Sequence, residues 1–113
     1  MIQSTIVPGT ASRGGLPRPW GVRLHRDVAK IVEIQADDPS FRPTLRALIE
    51  ELRTDPKQFP RKAGRLKDAR AVSLRRGSTS WRAVFMLDED ERMVKVIALN
   101  THDAAYAEAT RRV

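Results

Sequence analysis

RAVSLRRGSTSWRAVFMLDEDERMVKVIALN, residues 70–100, is the stretch whose reading decides the fold. It contains three runs rich in Val, Ile, Leu and aromatic residues, Arg70 to Arg76, Trp81 to Asp88 and Met93 to Asn100, each of strand length and composition. Gly77-Ser78-Thr79-Ser80 and Glu89-Asp90-Glu91-Arg92 separate them, each a four-residue hairpin length, so an antiparallel meander is expected. Upstream, Val28, Ile31, Val32 and Ile34 recur at helical steps until Asp37-Asp38-Pro39 stops them. Phe41 to Arg53 repeats the pattern, with Leu45, Leu48, Ile49 and Leu52 as its apolar stripe and Asp55-Pro56 as its end. These two helices predict an antiparallel hairpin. Before them, Trp20, Val22 and Leu24 alternate with Gly21, Arg23 and His25 as in a half-buried strand. After the meander, His102 to Arg112 is alanine-rich and free of Gly and Pro, a final helix with Asn100 or Thr101 as its cap. The expected class is α+β, a small antiparallel sheet packed on an N-terminal helical hairpin, in the order β-α-α-β-β-β-α. Residues 1–19 hold three of the seven prolines and three of the six glycines without periodicity, and read as a flexible arm.

The chain has 113 residues, enough for one core and one domain, and no cysteine, which excludes disulfides and cysteine-based metal sites. Its two histidines, His25 and His102, form no H-x-x-x-H or H-E-x-x-H spacing, so a metal-independent protein without cofactor is expected. No window approaches the roughly 18 to 20 apolar residues of a membrane span, and the first residues lack the pattern of a secretory signal. The expectation is a soluble, cytoplasmic protein with no membrane partner.

Charge is the unusual quantity. Lys and Arg number 21 against 14 Asp and Glu, a formal charge of +7. The excess is local: from Lys57 to Arg82 nine basic residues face Asp68 alone, +8 net in 26 residues, while the segments on either side are close to balanced. Such density repels itself unless counter-charge arrives, so this stretch should meet a polyanion or an acidic partner protein. Arg61, Lys62, Arg65, Lys67, Arg70 and Arg76, with Ser73 on the strand, are the candidate nucleic-acid contacts. A solubilising surface is the plainer reading, although solubilising charge is normally mixed in sign.

Closing the first hairpin symmetrically about its four residues sets Arg76 opposite Trp81 and Arg75 opposite Arg82, on the face shared with Ala71, Ser73, Val84 and Met86. Val72, Leu74, Trp81, Ala83 and Phe85 then pack on the helical hairpin. Facing like charges cost up to roughly 1 kcal/mol, a term that a bound phosphate reverses. Otherwise, one arginine pairs with a local carboxylate such as Asp103 or Glu108. The same symmetry in the second hairpin sets Arg82 opposite Leu99, so the chain enters its last helix beside the arginines. His102 and Tyr106, four residues apart, share a helical face there, with Asp103 pointing elsewhere. A histidine at that place can move a proton near neutral pH, or simply sit at the helix start as a surface residue.

The order of elements, the basic segment and the residues from Leu66 to Tyr106 resemble the RelE/ParE superfamily of bacterial toxin–antitoxin toxins. The resemblance spans about residues 20–113 and rests on three motifs. Leu52-Arg53-Thr54-Asp55-Pro56 ends the second helix. Leu74-Arg75 is followed by a small-residue turn and Trp81-Arg82-Ala83-Val84-Phe85, and His102-Asp103-Ala104-Ala105-Tyr106 sets a basic residue four before a tyrosine. RelE-like members are ribosome-dependent mRNA endonucleases (mRNA interferases) that inhibit translation. ParE-like members inhibit DNA gyrase without cutting RNA. Cognate antitoxins neutralise both. The resemblance implies that Arg82 stabilises the scissile phosphate, that Arg75 belongs to the same site, and that His102 and Tyr106 stand at the family's basic and tyrosine positions. Ser73 and Ala71 stand where lysine-rich nucleases carry strand lysines. The leading expectation is a metal-independent endoribonuclease with Arg82, His102, Arg75 and Tyr106 as its catalytic set. Its partners would be an antitoxin, mRNA and the ribosome. A gyrase inhibitor, or a non-toxic nucleic-acid-binding relative, stays open.

Overall fold

A computed structural model describes residues 6–7, 18–62 and 64–112, giving the backbone alone at residues 6, 7 and 65. Most of the expected arm, 1–19, lies outside the described residues. Within it, β1 (Ile6–Val7) pairs antiparallel with β2 (Gly21–Leu24), Ile6 opposite Arg23 and Val7 opposite Val22. There follow α1 (Arg26–Gln35), α2 (Arg42–Thr54), two short 3₁₀ turns (Pro56–Gln58 and Gly64–Leu66), β3 (Arg70–Arg76), β4 (Thr79–Asp88), β5 (Met93–Thr101) and α3 (His102–Arg112). The β-α-α-β-β-β-α order is therefore present from residue 21 onward. The sheet runs β1-β2-β5-β4-β3. Its meander β3-β4-β5 is antiparallel, and β2 joins in parallel beside β5, so the sheet is mixed.

Local chemistry sets the helix boundaries. His25 caps α1, its Nδ1 accepting from the Asp27 N–H at 3.1 Å. Between the helices, Asp38 folds the connector by accepting from the Ser40 N–H at 2.9 Å, and Arg42 Nε reaches back to the Ala36 carbonyl at 2.8 Å. Pro43 sits in the first turn of α2, where its missing N–H costs nothing, and Pro56 opens the 3₁₀ turn that follows the helix.

The sheet buries both of its faces, unequally. On one, Val22, Leu24, Val72, Leu74, Trp81, Ala83, Phe85, Val94, Val96 and Leu99 meet Val28 of α1 and Phe41, Leu45, Leu48 and Leu52 of the α2 segment. Phe41 tilts against Trp81 with ring centroids 5.4 Å apart, and Phe59 stands edge-on to Phe85 at 6.0 Å. The other face is thin: α3 lays Ala105 and Ala109 over Val84, Ile97 and Ala98, with Leu66 and Ala69 alongside. The expected division of β3 and β4 side chains between the two faces is the one observed.

Both hairpins differ from the symmetric expectation. The first closes around two residues, not four: Arg76 lies opposite Thr79, Arg75 opposite Ser80, Leu74 opposite Trp81 and Ser73 opposite Arg82. Gly77, at φ 59°, takes the positive φ of the first central position in a tight hairpin turn, which frees Thr79 and Ser80 to extend β4. Arg75 and Arg82 thus share a face but are diagonal neighbours. The second hairpin keeps the expected register from Asp88 opposite Met93 to Phe85 opposite Val96, then shifts by one. Ile97 is the extra residue of a β-bulge, beyond which Val84 faces Ala98 and Arg82 faces Asn100, not Leu99.

Candidate nucleic-acid interface

The basic segment does not act as one patch, because strand alternation and the connector divide it. Arg76 points to the helical-hairpin side, where Nη2 and Nε lie 2.9 and 3.1 Å from Asp38 Oδ2. Nη1 meets Gln35 Oε1, and the guanidinium rests over the Phe41 ring at 5.2 Å. Arg70 Nη1 donates to the carbonyls of Phe59 (2.7 Å) and Lys57 (3.2 Å), pinning the connector. Lys57 Nζ pairs with Glu89 Oε1 at 2.9 Å. Of the expected nucleic-acid contacts, Arg76 and Arg70 are therefore committed to internal partners, a reading that alternation alone does not reveal.

The acids in these contacts are tuned accordingly. Hydrogen bonds from the Ser40 hydroxyl and N–H, and then from Arg76, hold the Asp38 carboxyl below its ordinary value. Glu89 is held down by its hydrogen bond to Lys57 and by that ammonium's charge, with smaller contributions from Arg70 and Arg61. Backbone N–H donation from Glu91, followed by Lys95, does the same for Asp88.

What remains faces α3. Arg82, half-buried, donates through Nη1 to the Ser73 hydroxyl and, at 3.4 Å, to the Ser80 hydroxyl, and makes no ion pair with a described carboxylate. The Arg75 side chain, exposed one diagonal step away, makes no hydrogen bond or ion pair with another described residue. β4 pairs Arg82 with Asn100 and Trp81 with Thr101, and β5 runs straight into α3 at His102. In the first turns of α3, His102 and Tyr106 meet edge-on, ring centroids 4.9 Å apart, and Lys62 Nζ lies 4.8 Å from the centre of the Tyr106 ring. Lys67 is exposed just beyond Leu66, which packs under α3. Arg61 is exposed near Glu89, and the Arg65 side chain lies outside the described residues.

Neither carboxylate expected to compete for the arginines does so. Glu108 accepts from Asn100 Nδ2 at 2.9 Å and pairs with Arg112. Asp103, expected to point elsewhere, instead turns back to His102, Oδ1 to Nδ1 2.9 Å. A carboxylate can only accept, so Nδ1 carries the proton and Nε2 is the nitrogen left to take one up.

Arg75 and His102 are exposed. A hollow of about 410 Å³ lies at the other end of β4, between Met86 and Asp90 with Lys95, and its carboxylates Asp88, Glu89 and Asp90 repel phosphate. Among the described residues no group of three or more His, Cys, Asp or Glu could hold a metal ion, and no helix is long and apolar enough to cross a membrane.

No protein-family model matches the sequence, and no curated protein does. A solved structure does match: E. coli toxin RelE in the free state, as a mutant with two arginines replaced by alanine. It aligns with TM-score 0.64 at 20% identity, covering 81% of this chain and 95% of that one. The fold is RelE-like. Sequence reasoning missed Arg112, which with Glu108 and Asn100 joins α3 to β5; Asn100 was expected only as a helix cap and Glu108 only as a partner for the site arginines. The unalternating run Val96-Ile97-Ala98-Leu99 is apolar at every position and so fits either register.

Proposed function

We propose that this protein is a RelE-like toxin, a metal-independent endoribonuclease that cuts mRNA on the ribosome and is held in check by a cognate antitoxin. The observation that carries the reading is the state of Arg82. Two serine hydroxyls orient the Arg82 guanidinium, and no described carboxylate neutralises it. Such a group is prepared for an anion. A phosphodiester accepts charge-assisted bonds from Arg82 and the diagonal Arg75. His102 Nε2 takes the proton of the adjacent 2′-hydroxyl, and the 2′-oxygen bonds to phosphorus. The P–O5′ bond breaks, leaving a 2′,3′-cyclic phosphate and, after protonation by water, a 5′-hydroxyl. Tyr106, flanked by Lys62, orients the nucleotide. The unpaired cations of the α3 face also suit an acidic antitoxin segment, whose binding would stabilise the toxin by mass action.

Expression in translating cells, with mapping of message 5′ ends, tests this. Wild type should produce new 5′ ends and arrest growth. Arg82→Ala should cut at least about 100-fold more slowly, the usual effect of deleting one preorganised donor, with an unchanged circular-dichroism spectrum. Undiminished cutting by Arg82→Ala removes Arg82 from the mechanism. DNA damage with intact messages identifies gyrase inhibition instead, and normal growth identifies a non-toxic relative.

A further inference from the structure

The bulge at Ile97 decides what stands beside Arg82, and its extra carbonyl has a dedicated partner. Arg112, in the last turn of α3, donates through Nη1 to the Ile97 carbonyl at 2.9 Å and through Nη2 to Asp27 Oδ2 of α1 at 2.9 Å. The same guanidinium lies 3.5 Å from Glu108 Oε1, and Glu108 Oε2 accepts from Asn100 Nδ2 at 2.9 Å. Asn100 Oδ1 in turn accepts from the Thr101 N–H at 2.8 Å, the last residue before His102. One side chain therefore ties the bulge, the strand residue opposite Arg82, the start of α3 and the cap region of α1.

Side chains alternate with period two, so removing the one-residue shift would turn Asn100 to the opposite face and set Leu99 opposite Arg82. The hydrophobic pattern does not forbid this strongly, because Val96-Ile97-Ala98-Leu99 is apolar at every position. We infer that Arg112 is a positioning residue that, through the Ile97 carbonyl and Glu108, fixes the β5 register and thereby places Asn100 and the His102 turn beside Arg82. The register claim stands by itself; its consequence for RNA cutting rests on the function proposed above.

The test uses the full chain. In wild type, NMR cross-strand contacts should pair Arg82 with Asn100, and the Asn100 side-chain amide should show the downfield, slowly exchanging protons of a carboxylate-bonded group. In Arg112→Met, which keeps an aliphatic stem, that pairing should be lost or replaced by Arg82 with Leu99. Arg112→Lys, able to reach the Ile97 carbonyl, should restore it in part. Glu108→Gln, nearly isosteric, turns one of the two Glu108 contacts from acceptor to donor and should move the Asn100 amide signals; it keeps the question answerable if Arg112→Met does not fold. Cutting should follow register, falling in Arg112→Met and recovering in Arg112→Lys. Wild-type pairing retained in Arg112→Met, or unmoved Asn100 amide signals in Glu108→Gln, overturns the inference. Uncut messages with wild type, together with the register change in Arg112→Met, would refute the proposed function alone.

Discussion

Arg75 and Arg76 are adjacent in sequence and opposite in fate. Arg76 turns toward the helical hairpin, where Asp38, Gln35 and the Phe41 ring engage it, while Arg75 turns toward α3 and meets no described partner. The same contrast runs through the whole basic segment. Arg76, Arg70 and Lys57 hold carboxylates or backbone carbonyls, whereas Arg82 on the α3 side meets serine hydroxyls and Lys62 meets the Tyr106 ring. A strand's two-residue period sorts a run of like charge into a structural set and an available set. The two faces differ in packing as well. The hairpin side is built largely of aromatic and branched side chains, while the α3 side is a smaller cluster of four alanines with Leu66, Val84 and Ile97.

That division can be broken first at its apolar extreme. Phe85 is fully buried on the hairpin face, edge-on to Phe59. Phe85→Ala should cost about 3–5 kcal/mol in urea denaturation, the usual penalty for emptying a large aromatic site and a large share of the roughly 5–15 kcal/mol that holds a typical domain. A loss below about 1 kcal/mol would mean that the hairpin face is not the principal core.

The next test separates the paired cations from the unpaired ones. Arg76→Ala should lower the urea midpoint, by less than Phe85→Ala does, and leave message cutting unchanged. The contact also has a pH signature. The Asp38 carboxyl titrates below its ordinary 3.8 when folded, so its contribution is fully present above that value and is lost as pH falls through the lower one. Wild type should therefore lose stability on acidification, and Asp38→Asn should lose less. Arg76→Ala should fall between them, because Ser40 still donates to the carboxylate. An acid limb identical in all three proteins would show that the Asp38 contacts contribute nothing to stability.

How much of this was legible depends on which quantity each feature needs. Element order, the buried faces of β3 and β4, and the helical stripes follow from periodicity, and the sequence carries periodicity at every position. Register depends on turn geometry. Gly77-Ser78-Thr79-Ser80 reads as a four-residue loop until the positive φ of Gly77 shows that Thr79 and Ser80 are already strand. The bulge at Ile97 is hidden for another reason: a run of four apolar residues satisfies either register, and Arg112, fifteen residues away, helps to choose. For the site, the His102–Tyr106 contact follows the expected four-residue helical spacing, and Arg82 pairs with Asn100, two residues before His102. The commitment of Arg76 to Asp38 and Arg70 to Phe59 depends on partners 38 and 11 residues distant, which no local spacing encodes.

The smallest expected effect tests the available set most directly. The Arg75 side chain is exposed and makes no hydrogen bond or ion pair with a described residue, so Arg75→Ala should leave the urea midpoint where it is. If the residue contacts one phosphate of a single strand, its removal should reduce the slope of log affinity against log salt by about 0.7. Arg76→Ala, measured on the same oligoribonucleotide between low and moderate salt, should keep the wild-type slope, since its charge is already matched by Asp38. Equal slopes for Arg75→Ala and wild type would place the phosphate contacts elsewhere on the α3 face. A reduced slope for Arg76→Ala would go further, because it would mean that the Asp38 pair opens when RNA binds and that the two faces do not divide the charge as the free protein does.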